Sequence, residues 1–173
     1  MNKKKIIFIL ILVIVIFFIV LSKNLSFHLL NVKECSDEKF FFQQIISPGN
    51  KFGLKYIHSV AQTPVWEFFE MTKDGGLILT ETHFFDHGAG LPYAAFGNEI
   101  FISEDDKFKI KNMSRRISLP LYYRIGKIRE NHFIYKNQDI NLSKRLGDAV
   151  IIITIVQLNL FEYILNKFTK FID

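Results

Sequence analysis

The sequence predicts a mainly β domain, a small antiparallel sandwich or barrel, on one N-terminal transmembrane helix and followed by a C-terminal amphipathic helix. Three observations predict it. Residues 6–21, IIFILILVIVIFFIVL, form an unbroken apolar run behind the basic stub MNKKK. From Phe40 to Val156 the chain falls into short stretches rich in β-branched and aromatic residues, bounded by Gly, Pro, Asn or Asp. Beyond residue 157 the apolar positions change to helical spacing.

The apolar run comes first. At about 1.5 Å per residue it covers roughly 24 Å, short of a hydrocarbon core of about 30 Å. Lys5 and Lys23 can snorkel outward and close the difference. A signal peptide has an apolar region only slightly shorter, but Leu21-Ser22-Lys23-Asn24 offers no small-residue cleavage pattern. The expectation is an uncleaved anchor over residues 6–22, embedded in the lipid bilayer. Positive flanks stay cytoplasmic, so residues 1–5 form a cytoplasmic stub and the rest is expected outside the cytoplasm, single-pass, at the cell membrane.

Charge excludes one function class. Three of the 22 Lys and Arg belong to the stub, and the other 19 face 17 acids, an excess of only +2. That gives no footprint for nucleic acid. Cys35 is the only cysteine, so no intrachain disulfide can form and the domain must hold by packing. The charged Lys33 and Glu34 before it are unlike a lipid-attachment motif, which leaves a surface thiol.

Residues 23–39 read as a polar tether, and residues 40–157 as the β-domain. Phe40–Ile46 runs into the turn Ser47-Pro48-Gly49-Asn50. Lys51–Val60 alternates Phe52, Leu54 and Tyr56 on one face. Val65–Met71 and Leu77–Phe85 flank Asp74-Gly75-Gly76, a hairpin signal. Glu99–Ser103 and Phe108–Met113 flank Glu104-Asp105-Asp106. Ile117–Ile125, His132–Tyr135, Asp139–Leu142 and Ala149–Val156 complete the set. A second membrane span over residues 149–165 would bury Gln157, Asn159 and Glu162 in lipid, which is costly. Residues 158–173 read instead as an amphipathic helix, with Asn159 capping it and Glu162 reaching back in a capping box.

Candidate sites begin with YIHSVAQTPVWEFFE, residues 56–70. His58 and Ser59 are neighbours in an extended segment, so their side chains leave opposite faces and cannot form a nucleophile–base pair. His58 is better read as fixing a strand end, with Thr63-Pro64 turning the chain. Trp66 and Phe68 share one face of the next strand; Val65, Glu67 and Phe69 share the other. A Glu on an apolar face needs a partner if it is buried. Glu81, His83 and His87, with His58, are conceivable zinc ligands by type, but their spacing fits no standard motif and no metal is expected. In Gly88-Ala89-Gly90-Leu91-Pro92, two glycines allow either an anion-binding nest or a tight connection. Of Arg115 and Arg116, which alternate faces, one could reach a ligand carboxylate.

Taken in order, YIHSVAQTPVWEFFE, the DGG hairpin, HGAGLP and NMSRRISLPLYYRIG resemble the domain of unknown function 1850 family over roughly residues 40–156. Members are small bacterial proteins with one N-terminal membrane segment, often encoded beside TRAP transporters of the TAXI type. The resemblance implies an extracytoplasmic binding or accessory module whose partner is a transporter permease or its solute receptor. Its ligand- or partner-binding residues would be His58, Ser59, Thr63, Glu67, Gly88, Gly90 and Arg115, with no cofactor. The alternative is a cell-envelope enzyme with His58 and Glu67 as acid–base residues. Either way, the His58–Glu67 strand connection and the glycine loop are expected to meet in space, with the His58 and Glu67 side chains on the same side and within about one hydrogen bond or one bridging water of each other.

Overall fold

The computed structural model describes residues 3–37, 40–86, 90–92, 94–105 and 107–169, the side chains of 166–169 excepted. It opens with helix α1 (Lys3–Asn24), whose apolar run is fully exposed. Leu25 alone separates α1 from strand β1 (Ser26–Glu34). The remaining strands are β2 (Phe40–Ile46), β3 (Lys51–Ile57), β4 (Pro64–Met71), β5 (Leu77–Phe84), β6 (Ile100–Glu104), β7 (Lys107–Lys111), β8 (Arg115–Ile117), β9 (Leu121–Ile125), β10 (His132–Tyr135), β11 (Gln138–Asn141) and β12 (Ala149–Asn159). The short helix α2 (Leu142–Leu146) precedes β12, and α3 (Leu160–Thr169) follows it.

The strands make two antiparallel sheets. The smaller runs β2-β1-β12-β9; the larger runs β11-β10-β3-β4-β5-β7-β6, with β8 also pairing β5. The sheets pack as a sandwich and close no barrel. Alternation dictates which side chains meet between them. Leu30 and Val32 of β1 and Ile151 and Ile153 of β12 face Phe52 and Leu54 of β3, Phe69 and Met71 of β4, and Phe133 and Tyr135 of β10, all buried. The small sheet does not span the large one. Beyond its reach a second cluster forms from Val65, Phe84, Ile110, Met113 and Leu91, the last from the loop after β5.

The expected hairpin is present: Met71 pairs with Leu77, and Gly75 takes the left-handed φ of +79° that the turn requires. The capping box is also present, with Asn159 N–H donating to Glu162 and Glu162 N–H donating to the Asn159 side chain, at 3.0 and 2.8 Å.

Three expectations change. Residues 26–34, read as tether, form β1, the strand between β2 and β12, because Leu30 and Val32 supply an inward row despite the polar residues between them. Ile117–Ile125 is not one strand. It divides at Leu119-Pro120, where proline offers no amide to a ladder, and its halves join different sheets. Leu142–Leu146 is helical, capped by the Asn141 side chain accepting from the Lys144 N–H at 2.8 Å.

Candidate binding site around Glu67

β4 carries the inward row Val65, Glu67, Phe69. Val65 belongs to the second core cluster and Phe69 to the first, so Glu67 sits where the two meet. Its ladder neighbours are Leu54 on β3 and Thr82 on β5, both buried. Among the described residues its carboxylate has no hydrogen-bond or ion-pair partner. Burial alone therefore acts on it, and lifts its pKa above the ordinary 4.5.

Two tyrosines face the same space. Tyr56 points inward from the end of β3, and Tyr123 from β9 of the opposite sheet, their rings 6.3 Å apart. Burial raises both hydroxyls, and the Glu67 charge raises them further; Tyr56 is pushed up to about 12. Both stay neutral donors at any physiological pH. Tyr123 is held by Asn131, whose amide donates to its hydroxyl at 3.3 Å. Asn131 is 1% exposed and also accepts from the Gly126 N–H at 2.9 Å, while its own N–H donates to Ser143 Oγ at 2.8 Å. Ser143 Oγ closes the frame by donating to the Gly126 carbonyl at 2.8 Å. Behind Tyr123 lies a bonded polar frame; in front lies a carboxyl group with no partner among the described residues.

The strand connection beside this space is a braced turn. His58 N–H donates to the Thr63 carbonyl at 2.9 Å, and Gln62 takes a positive φ of 56°. The His58 Nδ1 accepts from the N–H groups of Val60 and Ala61 at 3.4 and 3.2 Å. The turn's own backbone thus takes up the Nδ1 acceptor. Ser59 is an exposed loop residue whose carbonyl accepts from the Gln62 side chain at 2.6 Å. His58 lies opposite Thr63, four positions from Glu67, or about 13 Å along the strand. The structure does not bring the two side chains into hydrogen bonding. Thr63 is different: its hydroxyl is buried and has no hydrogen-bond partner among the described residues. Native structures leave few such groups, and each asks for an explanation.

The glycine loop does return here in part. Gly88 lies outside the described residues, as does His87. Gly90 takes a φ of +85° with open space where a Cβ would stand, and Leu91 then packs into the cluster that contains Val65. Arg115 is elsewhere. Its guanidinium grips Glu99 with two bonds of 3.0 Å, tying β8 to the loop before β6. Glu81 and His83 share the outer face of β5, bonded to each other at 2.5 Å, with Lys111 3.6 Å from the same carboxylate. Among the described residues no group of three or more His, Cys, Asp or Glu is arranged to hold a metal ion.

The family model for the Domain of unknown function (DUF1850) matches residues 52–142, just over half of the chain. The chain belongs to that family. No curated protein and no solved structure matches it. The DUF1850 match begins in β3 and ends at α2, so it contains Tyr56, Thr63, Glu67, Tyr123 and Asn131 and leaves out α1, β1, β2, β12 and α3. Sequence reasoning found Glu67 and Thr63 but missed Tyr123 and Asn131. The alternation Leu121, Tyr123, Ile125 could have placed Tyr123 inward; Asn131, a loop residue, carries no local signal.

Proposed function

We propose that the chain is a membrane-anchored, extracytoplasmic binding or accessory module working beside a TRAP-type solute transporter, with the Glu67 region as its recognition site. The observation that carries the site is the half-buried Glu67 carboxyl group without a partner among the described residues. Such a group costs native stability and gives the fold nothing in return, so its use lies in what it meets from outside. Its surroundings favour a polar, hydrogen-bonding visitor: the neutral hydroxyls of Tyr56 and Tyr123, and a carboxyl group held toward its protonated form. A small organic acid, or a carboxylate or amide side chain of a permease or solute receptor, matches that set. The transporter setting comes from the family resemblance, and the compartment from Lys3, Lys4 and Lys5 ahead of α1.

An envelope enzyme is the second reading, because a raised carboxyl pKa is also what a general acid needs. His58 weakens it, since the Nδ1 that would act as base is occupied by two backbone amides.

Purification of the full chain from its native membranes in mild detergent tests the proposal. A permease or solute receptor should co-purify, and Glu67→Gln should lower its recovery by about tenfold, the equivalent of about 1.4 kcal/mol. Unchanged recovery with normal folding and membrane level would remove Glu67 from the interface. Undiminished capture by Glu67→Gln with loss of a chemical activity would instead favour the enzyme.

A further inference from the structure

Both helices leave the domain at one end of one ladder. β1 and β12 pair from Ser26 opposite Asn159 to Glu34 opposite Ile151. α1 enters the ladder at Ser26 and α3 leaves it at Asn159, and the Leu160 N–H donates to the Leu25 carbonyl at 2.8 Å. If the apolar run of α1 occupies the hydrocarbon, Leu25 stands at the bilayer surface, and the first residue of α3 is bonded to it. The start of α3 is therefore at the level of the headgroups, whatever the tilt of the domain.

Its side chains suit that level. Phe161 lies against the end of α1, with the Lys23 ammonium 5.7 Å over its ring. Tyr163 packs edge-on to Phe27 of β1 at 5.1 Å. Ile164 remains 42% exposed and Leu25 51% exposed, on the side where the chain enters the membrane. Glu162 is turned instead to the capping box. Aromatic residues at the boundary, a lysine, and an apolar residue open to the outside are the composition of a helix lying in the interface.

We propose that α3 is a second, shallow attachment to the same bilayer, lying in its headgroup region with Ile164 toward lipid. The proposal rests on α1 being a membrane span. Two attachments at the foot of one ladder restrict how the domain leans. They also place the recognition site away from the membrane. Tyr123 pairs with Ile151, which pairs with Glu34, eight positions from Ser26 and so about 26 Å along the ladder.

Spin labels on the full chain, reconstituted in vesicles of phosphatidylcholine and phosphatidylglycerol, test it. In a Cys35→Ser background, labels are introduced separately by Leu12→Cys, Ile164→Cys and Glu104→Cys. Collision with oxygen and with a water-soluble nickel chelate is then measured. The proposal expects the Leu12 label deep in the bilayer, the Glu104 label in water, and the Ile164 label about 5–10 Å below the headgroup boundary. An Ile164 label as open to nickel as the Glu104 label, with the Leu12 label still deep, overturns the attachment and leaves the anchor standing. A Leu12 label in water overturns both.

Discussion

Glu67 and Glu81 are near neighbours on one sheet and live in opposite circumstances. In the β4–β5 ladder Phe68 faces Glu81 and Glu67 faces Thr82, so the two carboxylates are one step apart along the ladder and lie on opposite faces. On the outer face burial lifts Glu81, but the His83 hydrogen bond and charge and the nearby Lys111 outweigh it and hold its pKa below 4.5. His83 is lowered chiefly by burial, which with the charges of Lys107 and Lys109 outweighs the pull of Glu81. On the inner face Glu67 has burial and, among the described residues, nothing to offset it. The difference teaches that a carboxylate in this sheet can be satisfied by its strand neighbours when the fold needs only stability. Among the described residues Glu67 is not so served, which is the ground for its proposed part in recognition.

The comparison can be broken or sharpened by substitution, with thermal unfolding of the detergent-solubilised full chain as the readout. The largest effect is expected from Asn131→Ala, which leaves the Gly126 amide without its acceptor and the Tyr123 hydroxyl without its donor, a loss of about 2–3 kcal/mol. A negligible loss would mean that the frame does not hold the site. Glu67→Gln should move the other way, gaining about 1–3 kcal/mol at pH 8 by removing a half-buried charge that has no partner among the described residues. The sign follows from linkage. The folded state holds the Glu67 proton more tightly than the unfolded chain, so native stability falls as pH rises from 4.5 through the raised folded value. The Glu67→Gln advantage should therefore shrink toward zero below pH 4.5.

Glu81→Gln should cost less than about 1 kcal/mol at pH 7, as partly exposed ion pairs do. Its pH course is the mirror image: the Glu81 contribution is full above 4.5 and fades as pH falls toward the lowered folded value. A larger cost for Glu81→Gln than for Asn131→Ala would reverse the ranking of the two faces. Smallest of all, Arg115→Ala should cost about 0.2–1 kcal/mol and leave partner recovery unchanged, because its guanidinium serves Glu99.

Much of this was legible in the residues. Alternation in VWEFFEM put Glu67 on the inward face with Val65 and Phe69, and the DGG turn set the hairpin that carries it. Asn159 and Glu162 announced the start of α3. The rest depended on contacts far apart in sequence. β1 was hidden because its polar residues suggest a tether, and only pairing with β12 across the chain gives Leu30 and Val32 a core to enter. His58 read as a partner for Glu67 because the two are close in sequence, whereas the turn claims its ring for local amides. Arg115 read as a ligand clamp because Glu99, sixteen residues away, gives no local sign of meeting it.

The most direct test is the titration of Glu67 itself, followed by carboxyl carbon-13 NMR on detergent-solubilised full chain labelled at glutamate. The Glu67→Gln spectrum identifies the resonance by its loss. The account predicts that Glu67 titrates clearly above 4.5, while Glu81 titrates below it. A Glu67 midpoint at or below 4.5 would show that its charge already has a partner within the protein, and the claim of a carboxyl group kept open for recognition would fall.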